Sequence, residues 1–438
     1  MTKTPYLLSD LARNEMLDYA QYTVASRAIP NMIDGLKPVQ RFYLYSSLQN
    51  SRRDFKKVSA VSGVVSDYGY NHGEVSAAGA GQLMAATWSN NVCLVEGRGS
   101  FGTRQVQAAG AARYVYTKVS PNFDRYIKDI ELSPEHDDPE HSPPAFYLPV
   151  LPLVLLNGAK GIATGFATNI LPRSEADVIA FIRSILSGVK AQTNINVEFP
   201  DFRGVTTYDS AIDRFVCEGV WRKVGKTTLL IEEIPYGFDR EAYVKILDDL
   251  EEDGLIVSYD DLTDSRGFRF EVKLKQQTSA RWTPNEIVKK FKLAKNHAEN
   301  LTVIGPAGDL REYNDARDLV RDFVDYRLTT LQKRIDLELE QHDELLRWLN
   351  VKIQFIEAVL DDKIVFKGRG RKDVEDQIVD GTDALSRDLT RLLALNILSL
   401  TKEQVVALRK EITAAEKSLQ YWKKTTPNNQ FIEDLDAL

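Results

Sequence analysis

The chain has 438 residues, enough for about two to four domains, and 43% hydrophobic and 27% charged residues are ordinary for a globular protein. No run of about 18 apolar residues is present, which excludes a membrane-spanning helix, and residues 1–8 lack the pattern of a secretory signal. The two cysteines, Cys93 and Cys217, are far apart in the sequence. Isolated thiols are typical of a reducing cytoplasm, so a cytoplasmic location is predicted and a cysteine-based zinc site is disfavoured.

Charge is distributed unevenly along the chain. The net charge of −7 argues by itself against a polyanionic ligand. Residues 27–128, however, contain thirteen Lys or Arg and six Asp or Glu, which gives this segment +7 and leaves −14 on the rest. Because local rather than total charge attracts phosphates, the segment is predicted to bind nucleic acid. A solvated basic face explains the same charge equally well.

The first ninety residues predict a series of short helices. Residues 9–26 carry apolar side chains roughly on one side, and Pro30 and the Asp34-Gly35 turn interrupt that helix. Pro38 stands where a second helix begins. Further short helices with polar turns continue to about residue 90. A compact helical module with a basic face is a common DNA-reading unit.

The middle of the chain predicts irregular structure followed by a mixture of helices and strands. A glycine-rich loop begins near residue 95, and the five prolines in residues 137–152 predict irregular chain. Ser174 is predicted to be the N-cap of an amphipathic helix, with Asp177 completing an arrangement close to a capping box. Residues 195–275 are predicted to form an α+β region, with strands at 227–232 and 268–274 and a helix at 240–251.

Heptad spacing dominates the last third of the chain. One apolar stripe consists of Val405, Leu408, Ile412, Ala415, Leu419 and Trp422, and a second, with one irregular step, consists of Val324, Leu328, Leu331, Ile335 and Leu339. Two such stripes separated by about 60 residues predict a long antiparallel coiled coil. The intervening residues would form a helical cap with a glycine-basic turn at 367–372. Two ordinary core helices are the alternative.

Two motifs resemble ligand sites but fail on spacing or position. Gly225-Lys226-Thr227 ends like a phosphate-binding loop, but Val220 stands where that loop requires glycine, and a β-rich run follows where a helix is required. A hairpin turn is the better interpretation. Asp434-Leu435-Asp436 is the one Asp-x-Asp pattern of the kind that binds metal, but it lies at the extreme C-terminus without a preceding strand, and the five histidines show no metal-ligand spacing. The chain is therefore predicted to hold neither ATP nor a metal ion by itself.

An arginine stands directly before a tyrosine at Arg113-Tyr114. A tyrosine phenol is a poor nucleophile at neutral pH, because its ordinary pKa is about 10. A neighbouring cation favours the phenolate and can hold a phosphate, which is the combination needed to attack a DNA backbone. Tyr116 competes for the role, and a tyrosine in a strand is more often a packing residue.

Six motifs occur in a fixed order along the chain. They are Ser26-Arg27-Ala28-Ile29-Pro30, Asp34-Gly35-Leu36-Lys37-Pro38-Val39-Gln40-Arg41, Tyr70-Asn71-His72-Gly73-Glu74, Gly97-Arg98-Gly99-Ser100-Phe101-Gly102-Thr103-Arg104, Ala111-Ala112-Arg113-Tyr114 and Asn157-Gly158-Ala159-Lys160-Gly161-Ile162-Ala163-Thr164-Gly165. Together they resemble the DNA breakage-reunion subunit of type II topoisomerases, such as gyrase A, over nearly the whole chain. The likeness is greatest to the T-even-phage branch of that family, which carries no DNA-wrapping domain.

The resemblance implies roles for individual residues. Tyr114 matches the nucleophile that forms a 5′-phosphotyrosyl bond, Arg113 the arginine that holds the scissile phosphate, and His72 a histidine that transfers a proton or binds a phosphate. Ile170 matches the isoleucine that wedges between base pairs. The residues expected to bind backbone phosphates are Arg27, Lys37, Arg41 and Lys118, and Tyr116 is expected to pack or support the DNA.

Two positions depart from the family pattern. Relatives often carry a second histidine before His72, where this chain has Asn71, and gyrase-like members carry histidine where this chain has Gln40. These departures weaken the assignment of proton transfer to His72.

The implied fold is α+β and multidomain. The expected domains are an N-terminal helical arm that docks a partner subunit (1–26), a helical winged-helix DNA-cleavage domain (27–130), a β-rich tower domain (131–315), the first strand of a coiled coil (316–348), a helical dimerisation cap (349–400), and the return strand with the tail (401–438). The implied protein is a homodimer that cleaves and rejoins double-stranded DNA, while a partner subunit binds ATP and Mg²⁺. The alternatives are a non-catalytic, dimeric coiled-coil DNA-binding protein and a P-loop NTPase of the chromosome-maintenance kind.

Overall fold

The computed structural model describes residues 15–189, 194–275 and 282–438. The chain divides into two compact units, one formed by residues 1–327 with 435–438 and the other by residues 328–434. Residues 9–14 of the first predicted helix, and most of the predicted arm 1–26, lie outside the described residues. Among the helices described, none is long and apolar enough to cross a membrane.

The first unit begins with a helical module joined to a small sheet. Its elements are α1 (Glu15–Thr23), a π-helical turn (Val24–Ala28), α2 (Pro38–Asn50), β1 (Lys56–Lys57), α3 (Val58–Gly63), a 3₁₀ turn (Val65–Tyr68), α4 (Glu74–Met84), β2 (Val95–Arg98) and β3 (Tyr116–Val119). The three strands are antiparallel in the order β1-β3-β2. As the sequence predicts, α2 begins at Pro38, whose fixed φ suits a first helical position.

Tyr43 holds this module together. It is fully buried on α2, and its hydroxyl contacts the Thr117 hydroxyl of β3 at 2.6 Å. A methyl group at Gly81 of α4 would lie 2.1 Å from the Tyr43 ring, so only glycine allows the two helices to approach so closely. Burial raises the pKa of Tyr43 to about 12. One neutral side chain thus joins α2, α4 and the central strand.

The chain then forms α5 (Pro121–Tyr126), β4 (Ile127–Lys128), a 3₁₀ turn (Ile130–Leu132), β5 (Leu148–Pro149), α6 (Leu153–Asn157), the hairpin of β6 (Ala159–Ile162) and β7 (Ala167–Ile170), and α7 (Glu175–Leu186). Ser174 is the N-cap residue of α7 as predicted, but its side chain makes no capping hydrogen bond. The Asp177 carboxylate instead accepts hydrogen bonds from the Asn196 backbone and side chain at 3.0 and 2.7 Å. The predicted capping arrangement is therefore wrong.

The predicted α+β region contains two antiparallel sheets. Its elements are β8 (Val205–Asp209), β9 (Arg214–Glu218), β10 (Trp221–Val224), β11 (Thr228–Ile231), α8 (Arg240–Glu252), β12 (Ile256–Asp261), β13 (Phe270–Leu274), α9 (Pro284–Lys290) and β14 (Ala294–His297), followed by a hairpin of β15 (Leu301–Ile304) and β16 (Leu310–Tyr313). The sheet orders are β14-β9-β8 and β10-β11-β13-β12. Gly225, with a φ of +66°, turns β10 into β11, which confirms a hairpin in place of a phosphate-binding loop.

A 45-residue helix, α10 (Ala316–Leu360), leads into the second unit. It is followed by α11 (Arg371–Gly381), α12 (Ser386–Leu393), a 3₁₀ turn (Ile397–Ser399), α13 (Lys402–Lys424) and α14 (Pro427–Asp436). Arg409 pairs with Glu357 at 3.0 Å and Lys423 with Asp343 at 3.9 Å, so α13 runs antiparallel to the second half of α10. The contacts of α13 therefore fall on residues 343–357, C-terminal to the stripe Val324–Leu339, so the predicted pairing of the two stripes is wrong. The first stripe lies nearer α14, where Arg334 pairs with Asp434 at 2.9 Å. The helix pairing also extends past residue 349, where the sequence placed the start of the cap.

Asp388 ties α12 to α10. Its almost completely buried carboxylate accepts two hydrogen bonds from Arg347, at 2.8 and 2.9 Å, and one from the Leu385 backbone N–H at 2.8 Å. The Arg347 guanidinium lowers the pKa of Asp388 to about 2. Because the folded pKa lies below the unfolded one, the ionised carboxylate stabilises the fold above about pH 4, and this stabilisation is lost as the pH falls towards 2.

We therefore expect Asp388→Asn to reduce the stability of the second unit by about 1.5–3 kcal/mol at pH 7, the usual contribution of a hydrogen bond to a charged group. The difference from the wild type should shrink between pH 4 and pH 2. Hydrogen exchange of the α12 amides measures both effects. Asp343→Asn is the matched control, since its exposed pair at 3.9 Å should contribute little; an equal loss of protection in that variant would contradict the assignment.

Candidate active site

Tyr114 lies in a turn between β2 and β3 and projects into solvent. Its side chain is 68% exposed, and its backbone N–H donates to the Ala111 carbonyl at 2.8 Å. The Arg113 guanidinium carbon lies 4.9 Å from the centre of the Tyr114 ring. A cation over the ring face is attracted by its quadrupole and keeps positive charge beside the phenol. The turn therefore presents a phenolic oxygen and a guanidinium together.

The backbone of this turn is held although the side chains are free. At the beginning of α3, the Val58 and Ser59 N–H groups donate to the carbonyls of Val115 and Ala112 at 3.0 and 3.1 Å. The first amides of a helix lack partners within the helix, so these bonds satisfy donors that would otherwise need water. The Gln82 side chain of α4 donates to the Gly110 carbonyl at 2.6 Å. Two helices thus fix the path of the chain on both sides of Tyr114.

Tyr116 has a different environment. It belongs to β3, pairs with Lys57 of β1 and Arg98 of β2, and is half-buried. The Arg98 guanidinium lies between the Tyr116 and Phe55 rings, 4.9 and 4.8 Å from their centres. This arrangement supports the packing role predicted for Tyr116 and makes Tyr114 the more accessible phenol.

Lys118, on the same strand, is partly engaged. Its ammonium lies 3.1 Å from the Glu96 carboxylate and 4.8 Å from the centre of the Phe55 ring. A phosphate would have to share this lysine with Glu96.

His72 lies among tyrosines. Its Nε2 contacts the Tyr22 hydroxyl of α1, and its ring packs edge-on against Tyr70 at 5.5 Å. Burial raises the pKa of Tyr70, and the positive charge of Arg27 opposes this shift. The structure therefore places His72 against Tyr70, and the charge of Arg27, the other predicted site residue, acts on the same tyrosine.

Lys37 is held against the β6–β7 hairpin. Its ammonium donates to the Lys160 carbonyl at 2.6 Å, and burial lowers its pKa. A methyl group at Gly161 would lie 2.0 Å from the Ala28 carbonyl oxygen, so glycine is required where the hairpin meets the chain ahead of α2. Lys37 is half-buried, and one of its donors is already used.

Arg41 is not available to a phosphate in this structure. It is 6% exposed, and its guanidinium makes two bonds to Asp34, at 2.9 and 3.0 Å, and one to the Leu36 carbonyl at 3.0 Å. Asp34 also accepts the Leu36 and Tyr147 backbone N–H groups. These contacts favour a structural role over the predicted phosphate contact, because withdrawing the arginine would leave a buried carboxylate unpaired.

Ile170 is also buried, with 1% of its side chain exposed. A side chain in the core is not placed to insert between base pairs. In the register of the hairpin, Ile162 pairs with Ala167, on the face opposite to Ile170, and Ile162 is 88% exposed. The structure therefore argues against Ile170 as the wedge and offers Ile162, which lies in the Asn157–Gly165 motif.

Arg104 anchors the loop that carries Tyr114, a role that the sequence did not reveal. It is buried and bonds to the Glu233 carboxylate at 2.8 Å and to the carbonyls of Asp201 and Ile234. It also faces the rings of Phe202, Tyr236 and Phe268 at 5.2–5.3 Å. The one signal in the sequence is an arginine at the end of a glycine-rich motif, with nothing to indicate its distant partners.

The donor set around Tyr114 does not fit a metal ion. Across residues 15–189, 194–275 and 282–438, no group of three or more His, Cys, Asp or Glu side chains is positioned to hold one. The nearest functional groups described above are cationic, and Glu96 is paired with Lys118. Divalent metal ions of the Mg²⁺ type need several oxygen ligands, which these residues do not supply.

The chain is similar to known proteins along nearly its whole length. A family model for the A subunits of DNA gyrase and topoisomerase IV matches residues 27–436. The DNA topoisomerase medium subunit of Enterobacteria phage T4 is 42% identical over 440 residues, covering 98% of both chains. The mitochondrial DNA topoisomerase 2 of Dictyostelium discoideum is 28% identical over 98% of this chain, which spans 35% of that longer protein.

The fold has a close counterpart among solved structures. The DNA-binding, cleavage and re-ligation domain of Plasmodium falciparum topoisomerase II matches with a TM-score of 0.87, over 98% of this chain and 63% of that chain. The two are 24% identical, so this match establishes the fold.

The anchoring role of Arg104 can be tested separately from chemistry. We expect Arg104→Ala to increase hydrogen exchange in residues 99–111 and to lower stability by about 3–5 kcal/mol, because Glu233 loses a buried partner. Arg203→Ala is the matched control, since Arg203 bonds to the same carboxylate at 3.2 Å but is 54% exposed. Equal exchange in both variants would show that Arg104 does not anchor the loop.

Proposed function

The chain belongs to the family of DNA gyrase and topoisomerase IV A subunits and is a type II DNA topoisomerase cleavage-reunion subunit, and we propose that Tyr114 is its nucleophile. The observation that carries the proposal is the Tyr114 turn, which combines a fixed backbone, an exposed phenol and an adjacent guanidinium.

In the proposed reaction, the Tyr114 oxygen attacks a backbone phosphorus as its proton leaves. A phosphorus–oxygen bond forms, the bond from phosphorus to the 3′ oxygen breaks, and that oxygen takes up a proton. The product is a 5′-phosphotyrosyl ester and a free 3′ hydroxyl, and rejoining is the reverse. Because one ester replaces another, the energy of the backbone bond is retained and resealing needs no ATP. Arg113 stabilises the charge that grows on the non-bridging oxygens.

The remaining basic residues serve to position the DNA. Arg27 is exposed and its charge acts on Tyr70, against which His72 packs, so Arg27 and His72 are proposed to contact phosphates next to the cut. Whether His72 moves a proton depends on displacing Tyr22, which occupies its Nε2. Lys37 and Lys118 are proposed to contact phosphates further along, each sharing its ammonium with a protein oxygen. Arg41 is assigned to folding.

The domain arrangement extends the proposal beyond the site. Helices α2–α4 with the β1-β3-β2 sheet suit the winged-helix cleavage domain. The sheets of residues 205–297 suit the tower domain, and α10 with α13 suits the coiled coil. We infer a homodimer that opens both strands, one Tyr114 acting on each, with the segment 349–400 as the dimerisation cap. The N-terminal arm is proposed to dock the partner subunit.

ATP and Mg²⁺ are assigned to that partner subunit. When bound there, Mg²⁺ would neutralise phosphate charge at the cut. The residues of this chain contribute the nucleophile, the guanidinium and the phosphate contacts. We propose that the complex works on double-stranded DNA in the cytoplasm.

The nucleophile is tested by mixing the chain with its ATPase partner, Mg²⁺ and supercoiled DNA, and then denaturing the mixture. We expect linear DNA with protein on both 5′ ends. Tyr114→Phe should abolish this product, because the ring remains but the attacking oxygen is absent.

Tyr116→Phe is the control, and it should leave at least part of the product. Loss in Tyr116→Phe alone would overturn the assignment. Unchanged cleavage in Tyr114→Phe would favour the rival interpretation of a non-catalytic DNA-binding coiled-coil protein.

The hairpin gives a second test. We expect Ile162→Ala to leave stability within about 0.5 kcal/mol, as is usual for an exposed site, while reducing DNA bending and cleavage by about tenfold, since unstacking a base step costs a few kcal/mol. Ile170→Ala should instead destabilise the first unit by about 2–5 kcal/mol. DNA bending is measured by fluorescence transfer across a short duplex. If the Ile170→Ala variant remains folded and is the one variant of the two that no longer bends DNA, Ile170 is the wedge.

A further inference from the structure

The second unit concentrates its positive charge in one loop. Residues 328–434 contain seventeen Lys or Arg and nineteen Asp or Glu, a net charge of −2. Residues 363–372, the basic loop, contain five of these cations and no acid, so the rest of the unit has a net charge of −7. The cations are Lys363, Lys367, Arg369, Arg371 and Lys372. Such focusing produces a local positive potential that the net charge conceals.

Most of these cations are not used within the protein. Lys363 pairs with Asp361 at 3.3 Å and Arg371 with Glu375 at 2.8 Å. In the part of the chain that the structure describes, Lys367, Arg369 and Lys372 have no carboxylate within ion-pair distance. All three are exposed. Three neighbouring free cations suit a polyanionic ligand better than an internal network.

The loop is nonetheless fixed at its base. Ile364 is buried, the Val365 N–H donates to the Gln377 side chain at 2.9 Å, and the Phe366 ring packs edge-on against Phe355. The Arg369 N–H closes a turn on the Phe366 carbonyl at 3.3 Å. Cations held on an anchored turn lose less entropy on binding than cations on a free tail.

Gly368 and Gly370 leave the tip of the basic loop narrow enough to enter a groove of DNA. Gly368 has a φ of +75°, which favours glycine, and a methyl group there would meet nothing within 4 Å. Gly370 is extended, with a φ of −72° and a ψ of 161°. The Arg369 side chain is therefore flanked on both sides by residues without side chains. Arginines presented in this way are suited to the minor groove of duplex DNA, where the negative potential is strongest.

We propose that the basic loop is a second DNA-binding site that holds duplex DNA through its phosphates and minor groove, separately from the Tyr114 site. The proposal rests on the proposed function in one respect: a duplex carried through the break would be the DNA that reaches the loop. Two copies of the loop would repel each other, because each presents three cations that have no carboxylate partner among the described residues. The loop is therefore better suited to DNA than to contact with its own copy.

The binding site is located by cross-linking on the full chain without its partner. Phe366, which is 42% exposed, is replaced by p-azidophenylalanine and irradiated with a labelled duplex. We expect a covalent adduct. The same replacement at Tyr421 of α13, which is 41% exposed, is the matched control and should give none. Equal labelling at both positions would overturn the proposal.

Charge variants test the cause. Lys367→Ala/Arg369→Ala/Lys372→Ala should reduce the yield of adduct at least tenfold. The slope of the logarithm of the DNA-binding constant against the logarithm of salt concentration should become shallower by about 0.9 for each phosphate contact removed. Lys402→Ala/Lys410→Ala/Lys417→Ala removes the same charge from exposed positions of α13 and should change neither. Lys367→Arg/Arg369→Lys/Lys372→Arg should retain the adduct, and its loss there would overturn an electrostatic cause.

Competition identifies the ligand. Unlabelled duplex should displace the label, whereas polyglutamate of equal charge and single-stranded RNA should be weak competitors. Equal competition by polyglutamate would indicate an acidic protein surface as the ligand, and stronger competition by RNA would indicate RNA; either result overturns the proposal.

Activity separates this proposal from the nucleophile assignment. In the reconstituted enzyme, the triple alanine variant should keep DNA cleavage while strand passage slows at least threefold at raised salt. The adduct at Phe366 should persist in Tyr114→Phe. If the Tyr114→Phe variant still cleaves DNA, the nucleophile assignment fails while the proposal for the basic loop is unaffected. If the Phe366 adduct is absent while the protein with Tyr114 cleaves DNA normally, only the proposal for the basic loop fails.

Discussion

The site depends on the pairing between the first amides of α3 and the carbonyls on either side of Tyr114. Val58 and Ser59 donate to Val115 and Ala112, so the tyrosine turn uses donors that the helix cannot satisfy itself. The backbone is held while the phenol stays exposed. A covalent mechanism needs both properties, since the oxygen must meet an external phosphate and return to the same position for rejoining. Fixing the backbone through its own polar groups leaves the side chain free for chemistry.

The arginines of the first unit divide into two classes by their partners. Arg41 and Arg104 are buried and satisfied by Asp34 and Glu233. Glu233 is distant from Arg104 in sequence, and Asp34 reaches a distant segment by also accepting the Tyr147 backbone N–H. Arg27 and Arg113 are exposed. Buried arginines with several partners are costly to withdraw, whereas exposed ones exchange water for phosphate at little cost. The positive charge of residues 27–128 therefore serves both to build the site and to bind DNA.

Much of the fold follows from periodicity, but the orientation of side chains does not. Pro38 marked the start of α2, the spacing of apolar residues placed a helix at 240–251 where α8 spans Arg240–Glu252, and the two heptad stripes fall on α10 and α13. The hairpin shows what was missing. Ile162 and Ile170 both stand in strands of mixed small and polar residues, so nothing in the sequence shows which isoleucine faces the core. The pairing register settles this by placing them on opposite faces.

Partners distant in sequence were equally hidden. Arg41 lies close to Lys37 in sequence, and the two positive charges together suggest a phosphate-binding motif. The motif shows these charges but not that a carboxylate neutralises Arg41 in the folded protein. Asp34 lies seven residues earlier in the same motif, yet its burial depends on the chain around Tyr147. The basic loop is the opposite case: its five cations are close in sequence, and three of them, Lys367, Arg369 and Lys372, have no carboxylate partner in the described fold. A run of cations predicts a binding surface only where folding brings no carboxylates to it, and that condition separates residues 363–372 from Arg41.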